Sequence, residues 1–125
     1  MIIATGIDLV EIARVQEMID RHGARFRDRV FTEAEIDYCE GQALRSVSYA
    51  ARFAAKEAAM KALGTGWAGG VRWRDIETIR GDAGAPALQF SGRALEIFQT
   101  LGARKAHLSL SHTAELATAQ VILES

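Results

Sequence analysis

Four side chains stand out for what their types and settings could do: Asp8, Glu57, Lys61 and His112. Asp8 interrupts the apolar run GIDLV. A carboxylate there must be paired, hydrogen-bonded or set against a cation, because burying it alone is expensive. A plainer alternative makes it a strand-end residue capping the next helix. Glu57 and Lys61 lie one helical turn apart in FAAKEAAMKALGTG. In that order they can form an exposed pair worth about 0.3–0.5 kcal/mol. The surrounding alanines predict instead a packed helix with both charges at a cleft. Arg52 and Lys56, also one turn apart, read as either a solvated or a phosphate-facing surface. Two carboxylates, a lysine and a histidine suggest Mg²⁺ with a phosphorylated ligand, since Mg²⁺ takes few carboxylates beside phosphate oxygens and water. Asp8 and Glu57 would hold the metal, and Lys61 would neutralise phosphate.

Two further stretches are weaker. Gly64-Thr65-Gly66 has a phosphate-loop composition but follows its helix, where the dipole is unfavourable for an anion. A C-cap is the simpler reading. Ser111 and His112 are adjacent at a strand end, so they face opposite sides and make no triad. The segment is either a hydroxyl-stabilised turn or a place from which His112 reaches a phosphate. His22 and His107 lack metal-ligand spacing.

The elements that must position these groups are legible in outline. Residues 2–10 read as a strand. Ile12, Val15, Met18 and Ile19 recur at helical spacing over 11–22, with Gly23 as the stop. TEAEIDYCE opens with a capping box, Thr32 and Glu35. A long helix is predicted over 47–63, closed by Gly64. DIETIR and ALQF bracket a turn as a hairpin over 75–90. Residues 91–101 form a short helix with Ser91 as candidate N-cap. AHLSLSH and ELATAQVILE pair as strands across a turn near Thr113 and Ala114. This order predicts an α+β class: a mostly antiparallel sheet with helices packed on one face.

The chain has 125 residues, 49% of them apolar and 25% charged, with a net charge of −1. One domain spanning 1–125 is the expectation. The balance argues against bulk attraction to nucleic acid, so a charged partner must be met by a local patch. The start, MIIATGIDLVEIARV, reads as neither signal peptide nor membrane span. Cys39 is the only cysteine, which excludes an intrachain disulfide and a cysteine-based zinc site and fits a cytoplasmic setting.

GIDLVEIARV, RFAAKEAAMKALGTG and LSLSHTAELATAQVILE, in that order, resemble the small bacterial holo-[acyl-carrier-protein] synthases, which are 4′-phosphopantetheinyl transferases. The resemblance runs from residue 5 to 124. It implies transfer of the 4′-phosphopantetheine arm of coenzyme A to a serine of an apo acyl carrier protein. Adenosine 3′,5′-bisphosphate leaves, and Mg²⁺ is required. It matches Asp8 and Glu57 to metal-binding acids, and Lys61 to the lysine on the coenzyme phosphates. His112 falls near the pyrophosphate, Arg52 and Phe53 beside the nucleotide, and Arg45, Gly64 and Pro86 around the coenzyme pocket. The catalytic pair would be Glu57 and Lys61. Glu57, or a Mg²⁺-bound water that it orients, would take the serine proton.

The family pattern also implies a homotrimer with shared sites, for which the final strand pair and the small-residue helix are candidate interfaces. The acidic carrier would dock on the helix at 11–22 and the arginines that follow, with Arg14 and Arg21 foremost. Residues 12–30 hold five arginines against three acids, locally +2. Two departures stand out: Trp67, where a smaller aliphatic residue is usual, and Ala85, where a lysine often precedes the proline. The rivals are a module that binds coenzyme A or a nucleotide without chemistry, and a structural oligomer whose acids form interface salt bridges. The first would need Lys61 and the glycine turn but not both acids.

Overall fold

Along residues 2–11, covered and exposed side chains alternate with a period of two, the mark of a strand with one face against a core. In the computed structural model, which describes residues 1–66 and 68–125 (backbone alone at Asp82), this segment is strand β1, Ile2–Glu11. Gly6, Asp8 and Val10 turn inward; Ile7 and Leu9 turn outward. β1 pairs antiparallel with β5 (Leu116–Glu124), which pairs antiparallel with β4 (Lys105–His112). A separate antiparallel hairpin joins β2 (Ile76–Arg80) to β3 (Pro86–Phe90), and β3 lies against β4. The expected sheet is thus antiparallel throughout but divided into a three-stranded and a two-stranded part.

The helices are α1 (Ile12–His22), α2 (Ala24–Val30), α3 (Glu33–Glu40), α4 (Arg45–Leu63) and α5 (Gly92–Thr100). α4 lies across β1 and β5. Ala54, Ala55, Ala58, Ala59 and Ala62 are all buried, so the small-residue helix forms the inside of this chain. Its use as a contact between chains, one of the sequence expectations, is corrected accordingly. The approach is closest at Gly6, where a Cβ would stand 1.9 Å from the Ala58 carbonyl oxygen. Strand and helix backbones touch there, and only glycine fits.

The capping box at Thr32 is present: its hydroxyl accepts from the Glu35 N–H, and Glu35 Oε1 accepts from the Thr32 N–H at 2.9 Å. α4 ends as expected at Gly64, which is left-handed (φ 79°) with its N–H on the Met60 and Lys61 carbonyls. Ser91 precedes α5, but its hydroxyl donates to the Asp75 carbonyl and caps nothing. α2 was not legible in advance. The sequence marks Gly23 as a helix stop with arginines after it, yet Phe26 and Val30, one turn apart, are buried and fix the segment as a helix.

Lys56 overturns the expectation of a solvated or phosphate-facing surface. It is fully buried, 2.7 Å from Glu35 Oε1, and donates to the carbonyls of Trp73 and Ile76. Glu35 also accepts the Thr78 N–H at 2.9 Å. A charged pair survives burial only when hydrogen bonds saturate it, as here. Burial pulls the Lys56 pKa below the usual lysine value, and Glu35 opposes that pull. The pair ties α4 to α3 and β2.

Candidate active site

Two residues beyond Gly6 on the same face of β1, Asp8 meets α4. Its side chain is mostly covered; Oδ1 accepts from Lys61 Nζ at 3.0 Å. Lys61 Nζ also donates to the Ile7 carbonyl at 3.0 Å. Asp8 Oδ2 is buried and has no hydrogen-bond partner. The Thr118 hydroxyl donates to the Asp8 carbonyl at 2.8 Å and pins the strand. The capping alternative for Asp8 is excluded, because α1 begins at Ile12 with Glu11 as its N-cap and no side-chain cap bond.

Glu57 is partly buried beside this pair. Burial, then the negative charge of Asp8, push its pKa above the usual carboxylate value, while Lys61 draws it down. Two neighbouring carboxylates share one lysine, and one oxygen is left without a donor. Such a donor set fits an added cation. Among the described residues, no group of three or more His, Cys, Asp or Glu could hold a metal ion, so the protein would supply these two carboxylates.

A cleft of about 450 Å³ opens at this point, lined by Asp8, Glu57, Arg14, Met18, Phe26 and Phe53 among others. Phe53 stacks on Trp73 with ring centroids 5.1 Å apart. Arg14 stands on the cleft; Arg21 lies outside its lining and pairs with Glu17 at 2.9 Å on the exposed side of α1.

The remaining sequence candidates lie elsewhere. Arg52 turns away from Phe53: it is buried 4.0 Å above the Tyr38 ring, donates to Ser48 Oγ at 3.2 Å, and leaves its Nε without a partner. Arg80 lies 5.0 Å from the same ring centroid and donates to the Tyr38 hydroxyl at 2.7 Å. With Pro86 and Leu110 these residues line a separate cavity of about 160 Å³. Arg45 pairs with Glu40 at 2.9 Å in a third cavity of about 340 Å³ beside Arg27 and Tyr49. His112 is exposed at the end of β4, its Nδ1 3.3 Å from the Thr113 carbonyl. The Thr113 hydroxyl accepts the Glu115 and Leu116 N–H groups, so the hydroxyl-stabilised turn is present. Trp67 lies outside the described residues. Tyr38 and Arg80 escaped the sequence reading, since nothing local links positions 42 apart.

Residues 4–120 match the family model of the 4′-phosphopantetheinyl transferase superfamily. The chain belongs to that superfamily. It is 54% identical over 124 residues to the holo-[acyl-carrier-protein] synthase of Koribacter versatilis, with 99% of each chain covered. It is 49% identical over 125 residues to that of Solibacter usitatus, with both chains covered in full. Among solved structures, the Neisseria meningitidis holo-[acyl-carrier-protein] synthase superposes with a TM-score of 0.90 at 30% identity over both chains entire. The Helicobacter pylori synthase in complex with coenzyme A gives 0.83 at 32% identity, covering 96% of this chain and 99% of that one. The α+β architecture above is therefore the phosphopantetheinyl transferase fold, and the chain is an enzyme of this superfamily.

Proposed function

We propose that the chain transfers the 4′-phosphopantetheine arm of coenzyme A to a serine of an apo acyl carrier protein, in the cytoplasm and in the service of fatty acid biosynthesis. One observation carries the reading: Asp8 and Glu57 line a cleft whose other wall bears Arg14, Met18 and Phe53, and Lys61, outside that lining, holds Asp8 at 3.0 Å. Coenzyme A is the co-substrate bound in the Helicobacter pylori relative.

The carrier serine oxygen forms a bond to the phosphorus bearing pantetheine. The bridging P–O bond of the pyrophosphate breaks, and adenosine 3′,5′-bisphosphate leaves with the electron pair. Glu57, or a water that it orients, takes the serine proton; a carboxylate that also holds a metal is a weaker base, which favours the water. Lys61 meets the negative charge that builds on the leaving phosphate. Asp8 and Glu57 would hold Mg²⁺, which supplies further charge neutralisation at the same phosphates. The orphaned Asp8 Oδ2 and the raised Glu57 pKa support that assignment.

The same reading makes the working form a homotrimer with shared sites. Ile7 and Leu9 support it: they are 62% and 63% exposed on the outer face of β1, an apolar strip on a sheet. Arg45, Arg52, Pro86 and His112 line no part of the Asp8 cleft, so they would serve it from a neighbouring protomer. The acidic carrier would meet Arg14 first, with Arg21 beside it.

The decisive experiment is intact-mass spectrometry of an apo acyl carrier protein incubated with the chain, coenzyme A and Mg²⁺, with a chelator control. Gain of one phosphopantetheine arm, abolished by chelator, is the expected outcome. Binding of coenzyme A without any gain would favour the non-catalytic module.

A further inference from the structure

The apolar groove beside the active-site cleft does not end at α2. Met18, Phe26, Val30, Phe53 and Trp73 line a space of about 410 Å³ with Arg25 and Arg29 on its rim. Arg29 and Trp73 also line the next cavity, of about 470 Å³, together with Val71, Arg72, Arg74 and one acid, Asp28. Arg29 and Trp73 are thus common to both spaces, which adjoin one another from α2 to the segment before β2.

The charges along it are unusual. Arg25, Arg29 and Arg74 are exposed, and none has a carboxylate within salt-bridge distance among the described residues. Arg72 alone is engaged, with Asp75 at 3.3 Å. Arg25 and Arg29 sit one turn apart on α2, an arrangement that repels in the free chain. The chain carries −1 overall, so this local positive charge is not a by-product of a basic composition. Uncompensated arginines beside exposed Met18 and half-buried Phe53 suit an acidic protein partner that lays apolar side chains on those two and carboxylates on the rim, with Phe26 and Trp73 buried beneath.

We infer that the acidic carrier's footprint runs from α1 along α2 and on to the segment before β2, with a second electrostatic contact at Arg29 of α2 and at Arg74. This rests on the carrier reading given above, and it assigns Arg74 a role in partner selection that no chemical step requires. Arg29 and Arg74 set how long and in what orientation the carrier stays, leaving coenzyme binding alone.

The test measures steady-state transfer with apo carrier and coenzyme A varied in turn, for Arg29→Glu, Arg74→Glu, Arg74→Lys and Arg14→Glu. Thermal melts confirm that each variant is folded. Arg29→Glu and Arg74→Glu are expected to raise KM for the carrier roughly three- to tenfold each, with kcat and the coenzyme KM unchanged, and to flatten the salt dependence. Arg74→Lys should retain most of the wild-type value. Wild-type carrier kinetics in both glutamate variants, while Arg14→Glu is impaired, would overturn the extension and leave the α1 docking site standing. No effect in any variant, Arg14→Glu included, would overturn both. A rise in the coenzyme KM with Arg74→Glu would assign the second cavity to the nucleotide and overturn the proposal.

Discussion

Lys61 Nζ stands 3.0 Å from Asp8 Oδ1, and it is Asp8, 53 residues away, that Lys61 pairs with rather than its helical neighbour Glu57. The lysine is thus the resident counter-ion of the acid that would take the metal. Lys61→Met should cut transfer by about a hundredfold or more through lost phosphate stabilisation. It should also strengthen Mn²⁺ binding in the absence of coenzyme A, because a competing positive charge is gone. Mn²⁺ titration by electron paramagnetic resonance checks this; weaker Mn²⁺ binding in the variant would contradict the counter-ion role.

Asp8→Ala should abolish transfer while leaving the melting temperature close to that of the parent. Lys61, more than half exposed, can return to water when its partner is removed. Normal turnover in Asp8→Ala would remove Asp8 from the site. A large fall in melting temperature with no response to Mg²⁺ would favour the structural-oligomer alternative.

Gly6→Ala tests the contact that brings Asp8 to α4. The new methyl would fall on the Ala58 carbonyl oxygen and the Ala62 nitrogen, both rigid helix backbone. Separation of β1 from α4 should cost about 3 kcal/mol. Urea unfolding gives the stability, and transfer assays below the melting transition should show a fall in kcat, since the Asp8–Glu57 spacing changes with it.

Lys56→Met should destabilise by about 3–5 kcal/mol, because it leaves Glu35 charged and buried with only backbone donors. Glu35→Gln should cost less, because the amide oxygen can still accept from a backbone N–H and Lys56 keeps the Trp73 and Ile76 carbonyls. Urea denaturation of the two variants gives the ranking, and a neutral Lys56→Met would show that the pair adds nothing.

Glu40 gives the acid dependence. The Tyr49 hydroxyl donates to it at 2.6 Å and Arg45 pairs with it, and together they hold its carboxyl below the usual value. A depressed folded-state pKa means stability present above the unfolded value and lost as pH falls through the folded one. Glu40→Gln should therefore be weaker than the parent by about 1 kcal/mol at neutral pH, allowing for screening at this partly exposed site, with the difference shrinking at acid pH as the folded-state carboxyl is protonated. Urea midpoints at the two pH values check the sign.

What the sequence determined by itself is what local chemistry controls. The capping box at Thr32 and Glu35, the left-handed stop at Gly64, the hairpin expected over 75–90 and the order of the elements other than α2 follow from short-range geometry. The types of the site residues were legible too, because a carboxylate inside GIDLV and two charges among alanines are anomalies wherever they fold. What only the tertiary structure decided is direction. Lys56 and Lys61 look alike on α4, yet one is sealed against Glu35 and the other reaches Asp8, since burial of a helix face depends on what packs against it. Arg52 and Phe53 are adjacent but open onto different cavities, for a step of about 100° around a helix crosses from one neighbour to another. Gly6 reads as an ordinary strand glycine until the Ala58 carbonyl is seen against it. Long-range packing sets these choices, and no window of residues along the chain contains it.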